Sequence, residues 1–328
     1  MSDLRIKDCQ FVHEDLINWG SNGESLSISR EGRKEETRQK SAVVTIARQE
    51  STYIQEWIAY QYLMGFDKII VMLHAYQNEP DETFDKIERL PNFVLDRVVV
   101  GTISCENIDG INTPMYQRMG MYKAFDSYIK GKFEWMAMFD ADEYLYDSQK
   151  RCVNDILDVL PEDAGQVSMP WLVYGPSNRV QSARYPETRL SVFNCRQPLE
   201  RFFGYKSIVR VENIIDNGAW YWCHFAKTSG TYITFNGDVI SNVPVENWDY
   251  IQNGIQRYPI NYDTCLVHYH TGAMEDWVNR HKRRPITVAE TEHDVRRFMN
   301  HSFVDFDDRM MVHHDQLNGI LRDAKRYG

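Results

Sequence analysis

The most constraining feature of the sequence is a short apolar run that ends in acidic residues. Trp135 to Phe139 contains no turn residue and leads directly into Asp140-Ala141-Asp142-Glu143-Tyr144. A run of this kind is typical of a strand buried on both faces. In an extended chain, Asp140 and Asp142 would point to one face and Glu143 to the other.

Ligands of open parallel sheets bind beyond the carboxyl ends of the strands. Two carboxylates at such an end favour a site for Mg²⁺ or Mn²⁺, with the remaining positions left for phosphate oxygens and water. The alternative is that Asp140 and Asp142 simply end a strand at a solvated loop.

Strand and helix patterns alternate between residues 41 and 160. The β-branched run Ala42–Ala47 predicts a buried strand, Thr52-x-x-Gln55 fits a capping box, and Gly65 suits a helix C-cap before the next strand, Lys68–Leu73. This is the pattern of a βαβ unit with a right-handed crossover. The elements predicted next are a strand over Phe93–Val100, a helix over Pro114–Lys130 and an amphipathic helix from Val153 to Leu160.

The second half of the chain is rich in short β patterns separated by Gly, Pro and Asn, which predicts mixed or antiparallel structure. Near the end, Cys265–His270 is strand-like with His268 and His270 on one face, and helical spacing follows from Met274. The short strands are predicted over Val167–Val173, Leu190–Phe193, Ser207–Val211, Trp220–Ala226 and Thr231–Phe235.

These patterns divide the chain into four parts. We expect a polar N-terminal segment over residues 1–40, two halves of one domain over 41–160 and 161–290, and a helical tail over 291–328.

Composition restricts the class of protein. The net charge of -10 gives no electrostatic reason to bind nucleic acid, so we expect no nucleic-acid partner. The N-terminus lacks a signal-peptide core, and no stretch reaches the roughly 18 apolar residues of a membrane span. The six cysteines form no Cys-x-x-Cys pair, as expected for free thiols in a reducing cytoplasm. We expect a cytoplasmic protein, and peripheral membrane contact stays open.

Several common nucleotide and hydrolase motifs are missing from the sequence. It contains no Gly-x-Gly-x-x-Gly after the first strand, no Gly-x-x-x-x-Gly-Lys and no Gly-x-Ser-x-Gly. These absences argue against a dinucleotide-binding dehydrogenase, a P-loop NTPase and an α/β-hydrolase. A diphosphate bridged by a divalent ion is the ligand that fits the remaining pattern best.

Ordered blocks between residues 41 and 284 resemble GT-A glycosyltransferases of the family 2-like and family 92-like branch. The opening block runs from Val43 through Arg48-Gln49-Glu50 to the Glu56-Trp57 helix, and the Asp140-Ala141-Asp142-Glu143-Tyr144 block is similar to the family's acidic block. Further similar blocks are Trp171–Gly175, Glu200-Arg201-Phe202, Lys206-Ser207 with His224, and His268-Tyr269 with the helix from Met274.

The resemblance implies a fold and a set of site residues. The fold is α/β, a Rossmann-like GT-A domain with a mostly parallel sheet flanked by helices and a mixed, β-rich acceptor-side half. The implied ligands of Mn²⁺ or Mg²⁺ are Asp140, Asp142 and His268, with His270 as the alternative histidine. Residues 41–160 would be the nucleotide-sugar-binding half and residues 161–290 the acceptor-binding half of the same domain. The nucleotide-sugar would contact Thr45, Arg48, Gln117, Asp140, Arg201 and Lys206.

The sequence departs from the family's pattern in its phosphate-binding region. Many relatives carry a Lys after the His-Tyr pair, where this chain has Gly272-Ala273. Arg280, Lys282 or Arg283 could replace that cation.

The implied reaction is an inverting sugar transfer from a nucleotide-sugar, expected to be a UDP-sugar, to a glycan or glycolipid hydroxyl. A carboxylate would remove the acceptor proton, and the candidates are Glu200 and Asp216, with Glu143 a weaker one. Two other classes stay open: a metal-dependent phosphohydrolase or phosphotransferase, and a catalytically silent glycan-binding module that uses the dense aromatic residues as a platform.

Overall fold

The fold was described from a computed structural model of the full chain. The structure describes residues 38–75, 81–104, 120–201, 203–215, 224–242, 244, 254–282, 303 and 305–326. Most of the predicted N-terminal segment, the start of the helix predicted from Pro114 and most of the strand predicted over Trp220–Ala226 lie outside these residues.

A parallel region is formed by the first four strands. These are β1 (Gln39–Ala47), β2 (Lys68–Ala75), β3 (Val98–Ser104) and β4 (Phe133–Met138). They lie in the order β3-β2-β1-β4, and each neighbouring pair is parallel. Helix α1 (Ile54–Leu63) connects β1 to β2 and buries Trp57, Ile58 and Tyr60. The βαβ unit predicted from the sequence is therefore confirmed.

A mixed region continues the same sheet. Its strands are β5 (Glu143–Asp147), β6 (Ala164–Val173), β8 (Tyr205–Arg210), β9 (Thr231–Thr234), β10 (Val239–Ser241) and β11 (Thr264–His268). Strand β8 joins the two regions because it runs antiparallel to both β4 and β6. Strand β11 lies parallel to β6 and antiparallel to β5. The predicted α/β class, with a β-rich second half, is confirmed.

Short helices and a small separate sheet complete the described fold. The helices are α2 (Thr83–Glu88), α3 (Asn92–Leu95), α4 (Val153–Asp158), α5 (Arg189–Val192), α6 (Met274–Lys282) and α7 (His314–Arg326), with a π-helix over Phe125–Ile129 and 3-10 turns over Val211–Asn213 and Arg309–His313. The separate sheet pairs β7 (Cys195–Arg196) with β12 (Asp305–Phe306). Among the described residues, no helix has the length and apolar character to cross a membrane.

The parallel strands are buried on both faces. Val43 and Ala137 pack in the larger core with Trp57, whereas Val44 and Met136 pack in a second core on the opposite face. Alternate residues of one strand thus enter different cores, which explains why these strands read as continuous apolar runs.

Three local predictions were wrong. Helix α1 begins after Tyr53 without a side-chain cap, so Thr52 and Gln55 do not form a capping box. Pro91 is the N-cap of helix α3, so the first residues of the predicted third strand are helical. That strand begins at Val98 rather than at Phe93. The segment predicted as a strand over Leu190–Phe193 contains helix α5, whose N-terminus is capped by Thr188.

Candidate functional site

The acidic residues lie in a turn rather than in an extended strand. Strand β4 ends at Met138, and β5 begins at Glu143, whose N–H donates to the Asp140 carbonyl at 3.0 Å. The prediction that Asp140 and Asp142 point to the same face of one extended strand is therefore wrong. Phe139 N–H still bonds the Val44 carbonyl at 3.1 Å, so the turn leaves the sheet beside the carboxyl end of β1.

Asp140 belongs to a cluster that we call the Asp140 side, formed by Asp140, Glu143 and Lys206. Lys206 Nζ lies 2.9 Å from Asp140 Oδ2 and 3.5 Å from Glu143 Oε2, and the Asp140 N–H donates to Glu143 Oε2 at 2.8 Å. The side chains of Lys206 and Glu143 are fully buried, whereas that of Asp140 is 33% exposed.

The two carboxyl groups of the Asp140 side share the ammonium of Lys206 unequally. Burial raises the pKa of Glu143 well above its usual range; the Lys206 ammonium lowers it, and the neighbouring Asp140 and Asp142 carboxylates raise it further. One buried ammonium therefore serves two carboxyl groups. The Glu143 side chain is fully buried, so it cannot contact an acceptor hydroxyl. This argues against Glu143 as the general base, a role for which it was the weaker candidate.

Asp142 belongs to a second cluster, the Asp142 side, formed by Asp142, His268 and Arg280. His268 Nε2 lies 3.4 Å from Asp142 Oδ1, and Arg280 Nη2 lies 3.4 Å from Asp142 Oδ2. Burial alone would raise the pKa of Asp142, but the charges of His268, Arg280 and Arg189 hold it well below its usual range. Asp142 is therefore a carboxylate at neutral pH.

The strand register and helix α6 bring the Asp142 side together. His268 pairs with Glu143 across β11 and β5, and the Tyr269 N–H donates to the Asp142 carbonyl at 2.9 Å. Arg280 is fixed because its Nη1 donates to the His270 carbonyl at 2.6 Å. Asp142 and Arg280, which are 138 residues apart in the sequence, thus meet because the sheet places β11 beside the acidic turn.

An aromatic and histidine cluster covers His268. The Trp171 ring lies 4.7 Å from the His268 ring and 5.2 Å from the His224 ring, measured between centroids. His224 Nδ1 donates to the Tyr205 carbonyl at 2.9 Å. Burial, followed by the charge of Lys206, lowers the pKa of His224 to about 3, so this imidazole is neutral at physiological pH.

The chemistry of the Asp142 side suits a divalent ion in part. Asp142 Oδ1 and His268 Nε2 are 3.4 Å apart, close to the roughly 3 Å that separates neighbouring ligands of one octahedral ion. The buried atoms Glu143 Oε1 and His268 Nδ1 have no hydrogen-bond partner among the described residues. Within that same part of the chain, no group of three or more His, Cys, Asp or Glu side chains is arranged to hold a metal. Two protein ligands therefore fit, and the other positions would need phosphate oxygens and water.

The remaining predicted site residues differ in how deeply they are buried. Thr45 is fully buried within β1, and Arg48 follows the end of that strand, half-buried. Glu200 and Arg201 lie in an exposed turn after β7, where the Arg201 guanidinium contacts the Phe203 ring at 5.0 Å. Their roles stay predictions. Gln117 and Asp216 lie outside the described residues, as does Arg283.

Sequence reasoning missed one buried residue that contacts the acidic turn. Arg189 is 3% exposed, and its Nη1 donates to the Ala141 carbonyl at 2.7 Å. The segment containing it has no motif and alternates polar with apolar residues, so nothing in the sequence distinguishes Arg189 from a surface arginine.

Comparisons with known proteins give limited similarity. No protein-family model matches the chain, and no curated protein matches it. Among solved structures, the chain is similar to a mannosyltransferase from Pyrobaculum calidifontis, PcManGT, in complex with GDP-Man and Mn²⁺, at 12% identity and a TM-score of 0.32, covering 89% of this chain and 74% of that one. It is also similar to a mycobacterial protein at 15% identity and a TM-score of 0.32, covering 80% of this chain and 72% of that one.

Proposed function

We propose that this chain is a metal-dependent glycosyltransferase that transfers a sugar from a nucleotide-sugar, expected to be a UDP-sugar, to a hydroxyl of a glycan or glycolipid, with inversion at the anomeric carbon. The observation that carries the proposal is the meeting of Asp142, His268 and Arg280 at the carboxyl end of the parallel strands. This is the edge of an open α/β sheet where ligands bind.

The donor set supports a nucleoside diphosphate as the ligand. Asp142 is ionised and, together with His268, supplies one oxygen and one nitrogen at the spacing of two ligands of one ion. Asp140 would be a third ligand, directly or through water. A bound Mn²⁺ or Mg²⁺ would act as a Lewis acid that neutralises charge on the diphosphate.

The cations of the chain support the departure of that diphosphate. The Arg280 guanidinium is 31% exposed and contacts Asp142 at the edge of the site. It can therefore donate to phosphate oxygens as negative charge develops on them. Lys206, which is fully buried against Asp140, would hold that carboxylate in place rather than meet the phosphate directly.

The bond changes follow from the reaction class. The acceptor oxygen forms a bond to the anomeric carbon while the bond from that carbon to the phosphate oxygen breaks, and the electron pair leaves with the diphosphate. The acceptor proton passes to a carboxylate. Glu200, which is exposed, and Asp216, which lies outside the described residues, remain the candidates for this base.

Release of nucleoside diphosphate tests the proposal. Each common nucleotide-sugar is incubated with the protein and Mn²⁺, and the nucleoside diphosphate formed is quantified with and without simple saccharide acceptors. We expect release from one donor that requires Mn²⁺ and is lost in Asp142→Asn, and NMR of the product reports the anomeric configuration. Release of inorganic phosphate from simple phosphate esters, with no reaction of any nucleotide-sugar, would contradict the proposal and favour a phosphohydrolase.

A further inference from the structure

Arg189 is buried beneath the acidic turn. Its guanidinium lies 3.7 Å from the Tyr53 ring centroid, and its Nη1 donates at 2.7 Å to the carbonyl of Ala141. That carbonyl belongs to the residue between Asp140 and Asp142. Arg189 therefore contacts the backbone of the acidic turn without contacting its carboxylates through a hydrogen bond.

The backbone of Arg189 is anchored independently of its side chain. Its N–H donates to both carboxylate oxygens of Glu56 at 2.9 and 3.0 Å, and Glu56 is itself buried in helix α1. The position of the guanidinium is thus fixed by the first helix of the fold. A long side chain held at both ends can define the position of the carbonyl to which it donates.

The same cluster reaches the helix that carries Arg280. Tyr53, whose ring supports the Arg189 guanidinium, donates from its hydroxyl to Asp276 Oδ2 at 2.9 Å. Asp276 also accepts from the Ala273 N–H at 2.8 Å and from Ser182 Oγ at 2.5 Å. Asp276 lies one turn before Arg280 on α6, so one set of contacts connects the acidic turn with the helix of the site arginine.

Burial of the Arg189 guanidinium leaves one of its donors unpaired among the described residues. Its Nε is buried and has no hydrogen-bond partner among the described residues. An unpaired buried donor is expensive, and a purely structural position would be filled more favourably by an apolar side chain.

We infer that Arg189 is a positioning residue, which fixes the Ala141 peptide so that Asp142 binds a divalent cation together with a nucleoside diphosphate. The inference rests on the proposed function. It assigns to Arg189 an effect on metal affinity, exerted through the backbone of the acidic turn.

Measurements of Mn²⁺ affinity distinguish this positioning role from a general effect of Arg189 on the stability of the fold. Free Mn²⁺ is quantified by electron paramagnetic resonance in titrations of the full-length protein, with and without UDP or GDP. The variants are Arg189→Lys, which keeps a cation without the planar fork, Arg189→Gln, and Arg151→Gln as the control. Arg151 also pairs with a carboxylate, that of Asp147, but at the end of β5 opposite to Glu143 and the acidic turn.

We expect the Mn²⁺ dissociation constant to rise about tenfold or more in Arg189→Gln, to rise less in Arg189→Lys, and to stay unchanged in Arg151→Gln. Each measurement is made below the melting temperature of that variant, so only folded protein is compared. If Arg189→Gln does not fold, the test is made with Arg189→Lys, whose Mn²⁺ dissociation constant should be higher than that of the wild type.

Two results would overturn the inference, and they are distinct. Wild-type protein that binds Mn²⁺ while folded Arg189 variants bind it within twofold would reject the role of Arg189 alone. Wild-type protein that binds no Mn²⁺ with either nucleotide would reject both this role and the proposed function.

Discussion

The two aspartates of the acidic turn are two residues apart, but they have different surroundings. On the Asp140 side, a fully buried Lys206 lies 2.9 Å from the carboxylate and also serves buried Glu143. On the Asp142 side, the contacts to His268 and Arg280 are longer, both 3.4 Å, and Arg280 is partly exposed. The Asp140 side chain is 33% exposed and that of Asp142 15%, so the difference lies in their contacts and not in their exposure. It suggests a division of roles, in which Asp140 is held by a close ion pair and Asp142, with longer contacts, can exchange them for a ligand.

Removing the buried ammonium should produce the largest effect. Lys206→Met leaves Glu143 and Asp140 without their compensating charge, and loss of one partner from a buried ion pair costs about 3–5 kcal/mol. We expect the free energy of unfolding in urea to fall by that amount. The double variant Lys206→Met/Asp140→Asn should recover part of it, because the uncompensated carboxylate is removed.

A surface lysine provides the control for that experiment. Lys40 pairs with Asp158, whose side chain is 66% exposed, and such pairs contribute less than about 1 kcal/mol. Lys40→Met should therefore change the free energy of unfolding little. Equal effects of Lys206→Met and Lys40→Met would contradict the division between the two aspartates.

Glu56, which anchors Arg189 beneath the Asp142 side, should make stability depend on pH. Burial raises the pKa of Glu56 from 4.5 to about 7, against the lowering effect of Arg189. The folded protein then binds more protons than the unfolded chain between these two values. The free energy of unfolding should therefore fall as pH rises from 4.5 to 7, by about 3 kcal/mol from this group.

Urea unfolding of wild type and Glu56→Gln at pH 5, 6, 7 and 8 checks this expectation. The amide does not titrate, so the variant should lack the part of the pH dependence that Glu56 contributes. Parallel pH profiles for the two proteins would show that Glu56 is already ionised at pH 5 in the folded state, contrary to the expectation.

A smaller effect is expected from Gly204, which packs against the aromatic cover of His268. Its φ is +150°, and a Cβ there would lie 2.5 Å from Trp171 Cε3. Gly204→Ala should lower the free energy of unfolding by about 2 kcal/mol, because the Trp171 ring must move.

Gly237→Ala is the matched control because Gly237 has a φ of +88° but no atom of the described residues lies within 4 Å of the added Cβ. It should cost about 1 kcal/mol, from backbone strain alone. Gly204→Ala should also broaden or shift the His268 ring signals in an NMR spectrum, and Gly237→Ala should not. Identical His268 signals in Gly204→Ala would show that Trp171 does not position this imidazole.

The sequence predicted the parallel region well, because strands buried on both faces leave an unambiguous apolar run. Ala42–Ala47 and Trp135–Met138 lie in parallel strands of one sheet, as expected, and the structure places these strands side by side. The chain direction after Met138 could not be read in the same way. In the turn after Met138, Glu143 lies close to Asp140, and Asp140 pairs with Lys206. Lys206 lies 66 residues after Asp140 in the sequence, so local patterns could not indicate this pair.

The surroundings of the aspartates were harder to predict than their presence. Lys206, an expected phosphate ligand, is a fully buried partner of Asp140, and polarity alone gives no sign of burial. Arg189 meets Ala141 and Glu56 only through tertiary contacts that span 48 and 133 residues. Such pairs become visible only once the sheet topology is known.

The most direct test of the central claim compares nucleotide binding by wild type, Asp142→Asn and Asp158→Asn. Calorimetric titrations with UDP, GDP, CDP and dTDP are made with and without Mn²⁺, and Asp158, an exposed acid, provides the control. We predict that wild type and Asp158→Asn bind one nucleotide only in the presence of Mn²⁺, and that folded Asp142→Asn does not. Unchanged binding by Asp142→Asn, or no binding of any nucleotide by wild type, would contradict the account.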